Sequence, residues 1–202
     1  MTIRKGSDYG VVQPLPEGAA VARSDAELRE LVLASRGPGH DRVTIGLVGG
    51  DLCKTLGGAG NIERLSGPDA LTVPIDLAIA SIDGVDVPFV SHLIVGKLFR
   101  RNFAVVMNAQ WRGEQDLGPR SHPGDGFVDI TTGSLQWRQR RVARARLVTG
   151  THLPHPSLNY RRVRSETIAF DRSMPMCLDG EIKVKGRTLA LRVEPDSFHV
   201  VV

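Results

Sequence analysis

Asp179-Gly180-Glu181 lies between two β-rich runs near the C-terminus of this 202-residue chain, with Asn108 and Asp125-Gly126 upstream of it. A carboxylate held on a tight turn can act as a general base when it reaches the hydroxyl it deprotonates and its pKa suits the transfer. The same tripeptide also makes an ordinary hairpin, because Asp-Gly supplies the positive φ that a two-residue connection needs. Asp125-Gly126-Phe127-Val128-Asp129 poses a similar choice, since a turn aspartate can bind its own backbone. Gly49-Gly50 ends a buried strand just before a short helix from Asp51. His152 and His155, in Thr-His-Leu-Pro-His-Pro, lack a third ligand and read as structural.

These residues need elements to hold them. Ala19 to Arg23 reads as a short strand, Ser24 or Asp25 as a helix N-cap, and Leu28, Leu31, Val32 and Leu33 as the apolar stripe of the helix that follows. Ser35 to Arg42 is a loop, Val43 to Val48 a buried strand, and Asp51 to about Leu56 a short helix. That order implies a small α/β layer with parallel pairing. From Leu71 the period changes: Val73, Ile75, Leu77 and Ile79 alternate with smaller or polar residues, as in a strand with one buried face. Asp83-Gly84 joins it to Val87–Val95 in a hairpin. Phe103–Ala109 is a further strand, and short strands follow at Thr167–Phe170, Met176–Leu178, Leu189–Val193 and Phe198–Val202. Ser134 to Ala145 reads as a helix that sets Leu135, Val142 and Trp137 apart from its arginines.

Composition narrows the class. A hydrophobic content of 41% and a charged content of 24% are ordinary for a soluble globular chain, and argue against disorder. The stretch from Leu71 to Val95 carries Asp76, Asp83, Asp86, Pro74 and Pro88, which excludes a membrane-spanning helix there. No apolar secretion core follows Met1, so the cytoplasm is the expected compartment. Cys53 and Cys177 have no paired spacing and read as small core residues. Between Arg138 and Arg164 the chain has eight arginines (138, 140, 141, 144, 146, 161, 162 and 164) and no acidic residue. They make a basic face, with Arg138, Arg140, Arg141 and Arg144 as the candidate anionic-surface contacts, either merely solvated or docked on an anionic membrane. Aromatic residues, at 5%, are too sparse for a stacking nucleic-acid surface.

Taken in order, Val90 to Gly96, Asn108 with Gly113 and Pro119, Asp125-Gly126-Phe127-Val128-Asp129, Gly150-Thr151-His152, Asp179-Gly180-Glu181 and Val193-Glu194-Pro195 resemble the diacylglycerol kinase and sphingosine kinase superfamily, in its bacterial lipid-kinase branch. The resemblance runs from about Val21 to the C-terminus. It implies an α+β fold: a predominantly β-sandwich lobe over residues 66–202 that carries the lipid site, and a small residual α/β nucleotide lobe over residues 1–65. By the same resemblance Glu181 is the base that deprotonates a lipid hydroxyl, and Asp179 orients the turn or assists the metal-bound phosphates. Asp125, with the carbonyls of His122 and Phe127, stands where bacterial members hold a magnesium ion with oxygen ligands. Asp25 matches the acidic residue of the first phosphate loop. Gly49, Gly50, Asp51 and Asn108 fall at the nucleotide side, and Trp111 lines the ligand cavity or covers a sheet edge.

The nucleotide side departs from that pattern. Arg23, Ser24, Ala26 and Glu27 stand where the family has the glycines and threonine of a GGDGT loop, and the second loop is shortened to Gly49-Gly50. The family's first strand and helix have no counterpart before Val21. The expected function is therefore a catalytically degenerate lipid-kinase-like protein that binds a lipid or other amphipathic ligand without ATP-dependent transfer. Two alternatives stay open: an active lipid kinase completed by a partner or homodimer, and a non-enzymatic module docked on an anionic membrane at its inner face.

Overall fold

The computed structural model describes residues 9–37 and 42–202; positions 38–41 of the expected loop at Ser35 to Arg42 lie outside the described residues. The chain opens with β1 (Val11–Val12) and β2 (Val21–Ala22), then runs through α1 (Asp25–Ala34), β3 (Thr44–Leu47) and α2 (Gly50–Thr55). β4 (Leu71–Ile82) returns as β5 (Val85–Phe89) through Asp83-Gly84, both at positive φ. β6 (His92–Val95), β7 (Phe103–Met107), a ribbon of β8 (Trp111–Arg112) and β9 (Gln115–Asp116), and β10 (Val128–Gly133) come next. After α3 (Trp137–Arg146) the chain finishes as β11 (Leu158–Val163), β12 (Ser165–Leu178) and β13 (Ile182–Val201).

The fold is α+β and mostly strand, built on one curled sheet of eleven strands. Its main path is β1-β4-β13-β12-β6-β7-β10-β11, with β5 beside β4. The last residues of β13 pair in parallel with β3, and β3 in turn with β2. Thus the C-terminus is sewn into the N-terminal layer.

β4 is buried on both faces, where the sequence pattern predicts one. Val73, Ile75, Leu77 and Ile79 pack with Leu28, Val32, Ile45 and Leu52 of the N-terminal layer. Ala78, Ala80 and Ile82 face Phe89, Leu93, Val106 and Met176 inside the curl. The intervening small residues are not solvent-facing; they are small because a second layer covers them.

Strand boundaries are the other difference. The four short C-terminal runs are two long strands, and the interruptions between them are register shifts near Ala169/Met174 and Glu194/Phe198. Bulges of this kind bend a strand without ending it. Val87–Val95 is two strands: β5 pairs with β4, β6 pairs with β7 and β12, and Val90-Ser91 separates them. The helix expected at Ser134–Ala145 begins at Trp137, and its buried contacts are Ala143 with Leu135 and Leu147 on either side. Trp137 and Val142, expected on the core face, are 57% and 51% exposed.

Asp76 holds the centre of the sheet. Fully buried on β4, it accepts hydrogen bonds from Gly126 N (2.5 Å) and Asp196 N (2.9 Å), fixing the Asp125-Gly126 loop and the β13 bulge. Burial is the main cause that pushes its carboxyl up to about 7; the neighbouring Asp125 adds to the rise and the Gly126 N–H opposes it. An aspartate in an unfolded chain titrates near 3.9, so between about pH 4 and 7 the folded state binds the extra proton. Its contribution is full below pH 4 and lost as pH rises through 7. Denaturation midpoints are accordingly expected to fall between about pH 4 and 7, and Asp76→Asn to flatten that slope; an unchanged slope in the variant assigns the proton elsewhere.

Candidate active site

Leu178 to Glu181 is a tight turn with Asp179 at φ 46 and Gly180 at φ 76, closed by a bond from Glu181 N to Leu178 O of 3.1 Å. Two consecutive positive φ values are the type I′ pattern that joins twisted strands. Asp179 points inward, its side chain fully buried. It accepts from Val90 N (3.1 Å), Ser91 N (2.9 Å), Ser91 Oγ (2.9 Å) and His92 N (3.2 Å), and from the Arg29 guanidinium at 3.3 Å. This explains the break between β5 and β6: three successive N–H groups turn toward one carboxylate and leave the ladder. Burial pushes the Asp179 pKa up, while the Ser91 and Val90 donors and Arg29 act against it. Glu181, one residue beyond Gly180, is exposed and makes no side-chain hydrogen bond or ion pair among the described residues.

Arg29 was not legible as a site residue. It lies four residues after Asp25 on α1, is 4% exposed, and sits beside the apolar Leu28 and Val32. A charged residue at that spacing within a buried stripe was the available signal.

At both helix starts that could meet a phosphate, part of the first-turn N–H set is taken by the chain itself. At α1, Ser24 Oγ accepts from Glu27 N (3.1 Å), and the Glu27 carboxylate accepts from Arg23 N (2.7 Å). At α2, Asp25 accepts from Asp51 N (2.9 Å) and Leu52 N (3.1 Å). Burial is the largest cause that raises Asp25 to about 6, opposed by the Leu52 N–H. Gly49 and Gly50 are needed for this packing: a Cβ on Gly49 would strike the Arg23 carbonyl, and one on Gly50, at φ 92, would strike the Asp25 carboxylate.

A cavity of about 1260 Å³ opens beside the turn. Asp179 and Gly180 line it; Ile94, Pro175, Met176 and Val184 give it an apolar wall, and Arg112, Lys183 and Lys185 carry its positive charge. Cys177, expected in the core, is half-buried and lines it, because its side of β12 faces the cavity while Leu178, the next residue, packs into the sheet interior. Asp51 also reaches the cavity, with Oδ1 accepting from Gly113 N (2.7 Å) and Oδ2 lying 3.6 Å from His92 Nδ1. His92 is 3% exposed, and burial lowers its pKa to about 3, so the imidazole is neutral at neutral pH. Thr55 Oγ1 accepts from Gln110 N and Trp111 N, and Lys54 stacks over the Trp111 ring at 4.7 Å. These bonds fasten α2 to the β8–β9 ribbon, with Trp111 serving as a platform for Lys54.

Asn108, fully buried, donates through Nδ2 to the carbonyls of Asp76 (3.0 Å) and Val90 (2.9 Å), securing the same 90–91 break from below. Both oxygens of Asp125, the expected magnesium carboxylate, make bonds within the chain. Its Oδ1 accepts from Phe127 N (3.0 Å) and its Oδ2 pairs with Arg162, which also reaches Asp129 at 3.4 Å. His122 Nδ1 accepts from Gly124 N at 3.2 Å. Among the described residues no group of three or more His, Cys, Asp or Glu side chains could hold a metal ion. Arg161 is likewise paired, with Glu166. Arg138, Arg140, Arg141 and Arg144 are gathered on α3, apart from the cavity, as are the rest of that helix's arginines.

Among solved structures, a diacylglycerol kinase from Bacillus anthracis superposes with a TM-score of 0.65 at 15% identity, over 89% of this chain and 74% of that one. Two further chains from the same organism, assigned as diacylglycerol kinases, give TM-scores of 0.68 at 12% and 14% identity, over 89% of this chain and 76% of each. No family model and no curated protein matches the sequence. The chain has the fold of the diacylglycerol kinase-like proteins.

The Asp179 clamp has a stability signature. Asp179→Ala leaves Arg29 buried without its counter-charge and three N–H groups without an acceptor, a loss of about 3–5 kcal/mol. Adding Arg29→Met removes the stranded charge, so the double variant is expected to be more stable than the sum of the singles implies. Glu181→Gln, at an exposed turn tip, is expected to stay within about 0.5 kcal/mol of the parent. Urea denaturation of the parent, the two singles, their double and Glu181→Gln checks all three statements.

Proposed function

We propose that this chain is a divergent diacylglycerol kinase-like protein that binds a lipid or similar amphiphile in the cavity beside Asp179 and does not transfer phosphate from ATP. On this reading the strands from β4 to β13 correspond to the lipid-binding β-sandwich lobe, and α1, β3 and α2 to what remains of the nucleotide lobe. The occupied donors at the helix starts carry the proposal. A triphosphate needs backbone N–H groups at a helix N-terminus, and here Ser24 and Asp25 already take Glu27 N, Asp51 N and Leu52 N, while the Glu27 carboxylate takes the adjoining Arg23 N. Two of the three are carboxylates, which would also repel it.

The cavity supports the other half. Its volume suits the headgroup and upper chain of a lipid, and its apolar wall beside cationic side chains matches an amphiphile with a polar or anionic end. Asp179 contributes by holding the turn and the 90–92 backbone that form one rim. No proton transfer is assigned to it, because its oxygens are occupied.

Native mass spectrometry of protein purified from cells is expected to show a retained amphiphile of lipid mass, absent from Val184→Trp, which fills the cavity. Incubation with ATP, magnesium and mixed-micelle lipid is expected to give no labelled lipid. Phosphorylation that Glu181→Gln abolishes would instead establish an active kinase with Glu181 as base.

A further inference from the structure

We propose that the exposed face of α3 is a docking surface for an anionic phospholipid leaflet. The eight arginines of the basic segment do not act alike. Arg161 and Arg162 are paired with Glu166 and with Asp125 and Asp129, and Arg164 lies over the Phe127 ring. Arg138, Arg140, Arg141, Arg144 and Arg146 on α3 form no ion pair among the described residues, and four of them are exposed.

Apolar side chains stand among these charges. Trp137, Val142 and Val148 are 57%, 51% and 58% exposed, and the Arg138 and Arg141 guanidinium groups lie 5.9 and 5.8 Å from the Trp137 ring. An exposed tryptophan and two valines contribute nothing to neutralising a phosphate backbone. In a bilayer interface they enter the acyl boundary while the arginines meet headgroups, the division of labour of interfacial basic helices. This separates a lipid leaflet from a nucleic acid as the occupant.

A second observation lies on the same face. Between α3 and the loop after it is a cavity of about 230 Å³ lined by Arg138, Arg146, His152 and His155. His152 is 2% exposed and its Nδ1 has no hydrogen-bond partner. That volume accepts one phosphate-bearing headgroup between two guanidinium groups. The surface is distinct from the large cavity beside Asp179, so docking and ligand binding are separable.

The test is sedimentation of the full chain with vesicles of phosphatidylcholine alone or with about a third phosphatidylglycerol, at low and high salt. Each basic side chain near an anionic leaflet contributes about 1 kcal/mol, so Arg138→Gln/Arg141→Gln/Arg144→Gln is expected to lose about a hundredfold in affinity. The matching triple lysine variant keeps most of it, and Trp137→Ala loses severalfold. In a Trp111→Phe background, the Trp137 emission shifts to the blue on anionic vesicles only. Equal binding to both vesicle types, or unchanged binding by a glutamine variant whose melting temperature equals the parent's, overturns the proposal. So does preference for duplex RNA over anionic vesicles.

Discussion

One buried carboxylate determines how the two layers of this molecule meet. Asp179 takes the N–H groups of residues 90–92 and the guanidinium of Arg29. With that, the turn between the two longest strands, the break between β5 and β6, and the helix of the N-terminal layer become one joint. A charge with no exposed side-chain surface is tolerable only when its acceptor sites are filled by good donors. The position of α1 against the sheet is thus dictated by electrostatics as much as by the packing of Leu28 and Val32.

The same device recurs. Asp25 holds the start of α2, Asp51 holds the ribbon, Asp76 holds the Gly126 loop and the β13 bulge, and Asp83 holds the backbone of Arg187 and Thr188. Residues of a type that elsewhere does phosphoryl chemistry are here acceptors for backbone N–H groups. Each such use removes a carboxylate from the pool available to a metal or a substrate. What remains exposed to the cavity is mostly apolar or cationic, the lining on which the proposed binding of an amphiphile rests.

Much of this was legible in the sequence. Asp-Gly at 83–84 and 179–180 marks two type I′ turns, the Ser24 to Glu27 spacing marks a helix start, and the order of motifs leads to the fold that the solved structures share. The misreadings have a common cause. Strand ends at 90–91, 170–175 and 194–197 are set by bonds to residues far away in sequence, so a local pattern cannot separate a bulge from a terminus or from a loop. α3 misleads for another reason: with only ten residues it buries Ala143, and Trp137 and Val142 are left outside with the arginines. Arg29 and His92 were invisible because their roles come from the Asp179 turn and the Asp51 side chain, each distant along the chain.

The central claim is that three N–H groups at the helix starts facing the expected phosphate site, those of Glu27, Asp51 and Leu52, are already satisfied from within. Amide hydrogen exchange of Glu27, Asp51 and Leu52, with and without magnesium-ATP, tests it directly. The account predicts strong protection of these three amides in the free protein and no change on adding the nucleotide. Weak protection that rises specifically at these positions with ATP would contradict it, by showing that the donors are open and that a phosphate takes them.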